Sequence, residues 1–213
     1  MKRFFLILSL TSLVLFGVLS KYEDRKALRD LDFAVTVKVQ EKIDRSAHLR
    51  MASIVGNIME GATYAATPAV TSIVILLMTG YAVYDWKKKQ FHWKAVWIPI
   101  GFFLIVLVEI YAKSIVHHPS PPFSMIKHPT TIFPANYVNE QFSYPSGHAA
   151  RALYIGIIAL FLSSKKRRLM VGMAMAVYVL LVGISRIYLG EHWFSDVVGG
   201  LLLGAAAVSG FAL

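Results

Sequence analysis

The chain has no cysteine and little charge. The first absence excludes disulfide staples, thiolate metal sites and cysteine nucleophiles, and leaves the redox compartment unread. The second is more telling: Asp, Glu, Lys and Arg make up only 16% of 213 residues, where soluble domains carry about 25%. Proline is scarce outside one stretch, because Pro119, Pro121, Pro122, Pro129, Pro134 and Pro145 are six of the eight prolines. What fills the rest is hydrocarbon, with 56% hydrophobic residues and a mean hydropathy of +0.57.

Apolar runs near residues 4–19, 65–84, 95–116, 149–163, 169–188 and 196–213 each approach the ~20 residues a helix needs to span a bilayer core. Runs this continuous do not alternate as barrel strands do. The expected fold is an all-α membrane protein, a six-transmembrane-helix bundle with an outer-surface amphipathic helical segment. Residues 1–20 form its first span, 21–63 the extracytoplasmic amphipathic segment and 64–213 the main bundle. In residues 21–63 Leu28, Leu31, Val35, Val39, Ile43 and Leu49 are interspersed among charges of both signs, which suggests one or two helices lying on the surface.

The net charge of +10 is a topology signal and not a nucleic-acid footprint. Lys2, Arg3, Lys87, Lys88, Lys89, Lys94, Lys165, Lys166, Arg167 and Arg168 all flank spans. If six spans alternate they lie on one side, and positive flanks mark the cytoplasm. Both termini are therefore expected there, with residues 117–147 and the break Gly190–Ser195 outside. Residues 2–20 also have the charge and apolar core of a secretory signal, but no clear small-x-small cleavage site precedes Lys21.

The polar residues gathered on that outer side carry the chemistry. His192 and Asp196, four apart, share a helix face, so the carboxylate can hold one ring nitrogen and leave the other as nucleophile or base. A plainer reading has Arg186 snorkelling and Asp196 capping a helix. In Pro145-Ser146-Gly147-His148, just before an apolar run, backbone N–H groups at a helix start offer an anion site; a structural turn is the alternative. Ser146 adds a hydroxyl, and His148 a proton donor. Lys113, ending the third run, is either a snorkelling lysine or a phosphate ligand. Arg151, three residues after His148, can reach a bound phosphate, Glu140 or a lipid headgroup. His117 and His118 read as loop or interface residues, without the spacing of a zinc site. Phe142, Tyr144, Trp193 and Phe194 read as packing or interfacial anchors.

Pro145-Ser146-Gly147-His148 and Ser185-Arg186, five residues, His192, three residues, Asp196 resemble two signatures of the type 2 phosphatidic-acid phosphatase superfamily, integral-membrane lipid phosphatases that need no metal. The resemblance implies that His192 attacks phosphorus to form a phosphohistidine, Asp196 orients it and His148 protonates the departing oxygen. It also implies that Lys113, Ser146, Gly147 and Arg186 bind phosphate oxygens. The family's first signature, Lys, six residues, Arg-Pro, ends here in Ser120-Pro121, and Arg151 is a candidate to replace the absent arginine. The implied partners are a lipid phosphate substrate and membrane lipids, with no nucleic acid, no cofactor and no metal; the oligomeric state stays open. The expected activity is hydrolysis of a terminal phosphate from a lipid phosphate or diphosphate. Undecaprenyl diphosphate is the first candidate, then phosphatidylglycerol phosphate or phosphatidic acid. Alternatives are a lipid-phosphate-binding protein of the same fold without turnover, and a transporter-like bundle; Glu109, the only acid well inside an expected span, faces Lys113 one turn away.

Overall fold

The computed structural model describes residues 2–45, 49–85, 90–127 and 142–208. Glu140, Pro129, Pro134 and the cations Lys87, Lys88 and Lys89 lie outside the described residues.

Each expected apolar run contributes a helix within the described residues. In chain order the helices are α1 (Lys2–Tyr22), α2 (Lys26–Arg45), α3 (Leu49–Ala65), α4 (Pro68–Val83), α5 (Trp97–Ile115), α6 (Gly147–Leu162), α7 (Arg168–Tyr188) and α8 (Phe194–Ala206). A short antiparallel hairpin, with Tyr84 opposite Phe91, links α4 to α5. Three helical stretches, Arg3–Tyr22, Trp93–Ile115 and Arg168–Tyr188, are long and apolar enough to cross a membrane. The pair Ser53–Ala65 and Pro68–Val83 makes a fourth if counted as one span bent by 54°. The bend falls where Pro68 opens α4, because proline has no N–H to continue the ladder of α3. α6 and α8 are apolar but shorter, at 16 and 13 residues. The segment 21–63 is helical as expected, but its end belongs to α3, which runs into that bend.

The centre of the bundle is α6. It packs on α4, α5, α7 and α8, and α1 packs on α8. Small residues make this close approach possible: a methyl group at Gly200 would strike the Ser146 carbonyl, and one at Gly204 the Ala150 carbonyl. Backbone-to-backbone contact through small residues is how helices associate in lipid, where apolar side chains gain nothing by leaving the bilayer. Ile75, Ile98, Ile105, Ala150, Tyr154, Ile158 and Leu203 fill the interior, and the buried Tyr154 hydroxyl donates to the Ile98 carbonyl at 2.8 Å. The outward faces of the long helices are apolar, with Leu76, Phe103, Leu107, Leu169, Val177 and Leu180 all exposed. A bundle with polar loops and a hydrocarbon girdle is a membrane protein.

Candidate active site

The corner between α7 and α8 is set by its backbone. The Arg186 carbonyl accepts from the N–H of both Glu191 and His192, each at 3.2 Å. Between them Gly190 sits at φ +72°, and the Met125 carbonyl lies so close to its Cα that only hydrogen fits. The chain then enters α8 through Trp193, whose N–H donates to Asp196 Oδ2 at 2.8 Å. Asp196 is thus a helix cap and more besides. The same Oδ2 lies 3.4 Å from His192 Nδ1, and Oδ1 lies 2.9 Å from His118 Nδ1. With Nδ1 facing a carboxylate, the lone pair of His192 is on Nε2. Burial lowers the His192 pKa and nearby Arg186 adds to this, against the opposing hydrogen bond to Asp196. The ring is therefore neutral at ordinary pH, the state in which its free nitrogen can act as a nucleophile or a base.

The start of α6 meets this corner directly: the Ser146 N–H donates to the Asp196 carbonyl at 2.9 Å. Ser146 Oγ and His148 Nε2 are buried with no hydrogen-bond partner among the described residues. Buried polar atoms are normally paired, so these two groups have hydrogen-bonding capacity to spare at the start of α6. His148 lies within electrostatic range of Arg186, Arg151, His192 and Lys113. Each of those three permanent cations rests on a carboxylate of the protein itself. Glu109 takes Arg151 Nη1 at 2.6 Å and Lys113 Nζ at 3.3 Å, and Glu191 takes Arg186. The Glu109 carboxylate also fills the space where a Cβ at Gly147 would project. It therefore sits between two cations and the first residue of α6, where the helix dipole favours an anion.

All eight expected site residues, Lys113, Ser146, Gly147, His148, Arg151, Arg186, His192 and Asp196, converge on this end of the bundle. Arg186 does not snorkel; it is 2% exposed. Glu109 does pair with Lys113, and Arg151 meets it there. His118, read from the sequence as a loop or interface residue, is instead buried against Asp196. Its position could have been suspected, because it falls inside the first signature, five residues after Lys113. Glu23 and Asp32, which complete its surroundings, were not singled out. Their one sequence signal is that Asp32 and Thr36, a turn apart on a charged helix, would share a face, and both are buried. Tyr144 packs inside with its hydroxyl accepting from Ser20, whereas Trp193 donates to the Pro119 carbonyl.

The chain is similar to known proteins in sequence and in fold. The family model of the PAP2 superfamily matches residues 94–212, more than half of the chain. Phosphatidylglycerophosphatase B of Bacillus subtilis is 28% identical over 170 residues, 77% of either chain. An undecaprenyl-diphosphatase of Sulfolobus acidocaldarius is 33% identical over 129 residues, 52% of this chain and 59% of that one. In structure, the transmembrane PAP2-type phosphatidylglycerolphosphate phosphatase of Bacillus subtilis superposes with a TM-score of 0.73 at 23% identity, covering 93% of this chain and 91% of the other. LpxE of Aquifex aeolicus gives 0.57 at 20% identity, covering 85% and 93%.

Proposed function

Because the chain belongs to the PAP2 superfamily of lipid phosphate hydrolases, we propose that it removes the terminal phosphate of a lipid phosphate or diphosphate at the outer membrane surface. Undecaprenyl diphosphate is the first candidate, and phosphatidylglycerol phosphate or phosphatidic acid the next. The names of the relatives, a phosphatidylglycerophosphatase and an undecaprenyl-diphosphatase, support that short range of substrates. In this reading six spans place both termini in the cytoplasm, the charge-flanked ends of α5 and α7 face inward, and the site opens on the opposite side.

The carrying observation is the pairing of His192 Nδ1 with Asp196 in the same pocket as Lys113, Arg186 and the start of α6. The Nε2 lone pair attacks phosphorus, and the bond from phosphorus to the leaving oxygen breaks. His148 gives that oxygen its proton, and the phosphoryl group stays on His192. A water molecule, deprotonated by His148, then attacks phosphorus; the P–N bond breaks, inorganic phosphate leaves and both imidazoles are restored. Splitting one displacement into two is the gain of covalent catalysis. Lys113, Arg186, Ser146 and the Gly147 N–H stabilise the equatorial oxygens in both steps, and Arg151 stands in for the arginine that Ser120 replaces. These cations supply the positive charge that transfer requires.

Phosphate release by the purified protein, measured across the three lipids with EDTA present, tests the proposal. Wild type releases phosphate from at least one, and His192→Ala loses more than about 10⁴-fold in turnover. An active His192→Ala protein would sink the mechanism. Ser120 favours a second reading, binding without turnover, and an inactive wild type that still binds the lipid would establish it.

A further inference from the structure

The catalytic corner is braced by His118, which falls inside the first signature but is not one of its defining positions. His118 is 2% exposed and stands among three carboxylates from three helices. Asp196 of α8 accepts from its Nδ1 at 2.9 Å, and Glu23 at the end of α1 contacts the same nitrogen at 2.5 Å. Asp32 of α2 lies 3.8 Å from its Nε2. Asp32 also binds the start of α8 directly, accepting from the Ser195 N–H at 2.7 Å and the Ser195 hydroxyl at 2.6 Å. The Tyr144 hydroxyl lies within electrostatic range of Asp196 and Glu23. All three acids are essentially buried, so their charge has to be met inside the protein. Within this group the basic partner is His118.

We propose that His118 is a positioning residue for phosphoryl transfer. It fixes the Asp196 carboxylate, which in turn orients His192, with Glu23 and Asp32 of the N-terminal helices holding the assembly in place. The assignment rests on His192 being the nucleophile. Burial would lower the pKa of His118, but its bonds to Asp196 and Glu23 prevail and raise it to about 10. Burial raises the pKa values of Glu23 and Asp32, against the opposing hydrogen bonds from His118 and Ser195. His118 therefore stays cationic at neutral pH, and its hold on Asp196 weakens as the pH climbs through about 10.

Two variants separate this role from simple packing. His118→Phe keeps a ring without a donor, whereas His118→Asn keeps a donor near the Nδ1 position without a titrating charge. His118→Phe lowers kcat by about 10–100-fold, the usual cost of an outer-shell orienting group, with KM changed less than about threefold. His118→Asn recovers most of that loss at pH 7 and lacks the alkaline fall near pH 10 that is expected of wild type. In an Asp196→Ala background His118→Phe has little further effect, since residues acting as one unit are non-additive. Equal losses in the two variants, or losses that add in the Asp196→Ala background, would overturn the assignment. If His118→Phe does not fold, the pH profile of His118→Asn decides, and an unchanged alkaline limb counts against the proposal. A wild type without phosphatase activity overturns the proposed function, whereas an active wild type with an unimpaired His118→Phe overturns only the role of His118.

Discussion

Glu109 and Asp196 are both inward-facing carboxylates at the same end of the bundle, yet they hold opposite kinds of partner. Glu109 holds the permanent cations Lys113 and Arg151. Asp196 holds two imidazoles, His192 and His118, whose charge depends on pH. Their surroundings differ accordingly: the Glu109 side chain is 13% exposed and that of Asp196 is 0% exposed. A carboxylate on permanent cations sets how strongly an anion is bound. A carboxylate on imidazoles sets which nitrogen reacts and at what pH. Substitutions at the first hub should therefore appear chiefly in KM, and those at the second in kcat and its pH dependence.

The largest effect is expected at the imidazole hub. Asp196→Asn keeps the size of the side chain but removes its charge, so His192 is no longer fixed with Nε2 as the lone-pair nitrogen. A wrong tautomer in a comparable triad costs about 10⁴-fold in kcat, and a loss of about 10³–10⁴ is the expectation here. The residual activity carries a second signature. In the proposed mechanism His192 reacts only when neutral, so the rate falls as pH drops through its pKa, which burial already holds below 6.5. The hydrogen bond to Asp196 opposes that lowering. Its removal moves the acid limb of the kcat profile to lower pH. A limb that moved upward would break the contrast between the two hubs.

The two hubs also differ in how far the sequence disclosed them. His192 and Asp196 are four residues apart and Ser146 adjoins Gly147, so chain-local geometry was enough to pair them. The helices were legible for a related reason, since hydropathy is a local property and long apolar runs leave the backbone one way to satisfy its hydrogen bonds. The partnership of Glu109 with Arg151 spans 42 residues and that of Asp32 with Ser195 spans 163. Neither follows from spacing. The boundary drawn at residue 63 falls near the end of α3, and the backbone break between the two helices comes just after it, ahead of Pro68. Residues 21–63 read as an amphipathic surface segment because charges of both signs are interspersed with apolar residues; Glu23 and Asp32 are nevertheless buried, by parts of the structure that lie far away in the chain.

At the cation hub the effect is smaller and of another kind. Arg151→Gln removes a guanidinium from the proposed phosphate site and leaves Glu109 with Lys113 alone. Loss of one charge-assisted hydrogen bond to phosphate is worth about 1.5–3 kcal/mol, so kcat/KM should fall by about 10–100-fold, mostly through KM. Arg151→Lys restores part of this, because a point charge returns without the two-pronged geometry of arginine. Thermal stability falls in Arg151→Gln as well, since one partner of a buried pair is removed. A drop confined to kcat would instead place Arg151 with the imidazole hub.

The smallest change is expected at Glu109, and it is the one that runs against intuition. Its carboxylate rests on Lys113 and Arg151 and against Gly147 at the start of α6, which are the groups proposed to receive substrate phosphate. Phosphate binding must draw those cations away from Glu109, and a site whose binding-competent state is only partly populated has its apparent affinity reduced in proportion. Glu109→Gln keeps the shape and an acceptor oxygen while removing the competing charge. The expected outcome is a KM lowered by about threefold, with kcat nearly unchanged. Steady-state kinetics on the preferred lipid at neutral pH read this directly. A rise in KM would mean that Glu109 orients Lys113 and Arg151 for the phosphate, and the hub would then be an aligning scaffold.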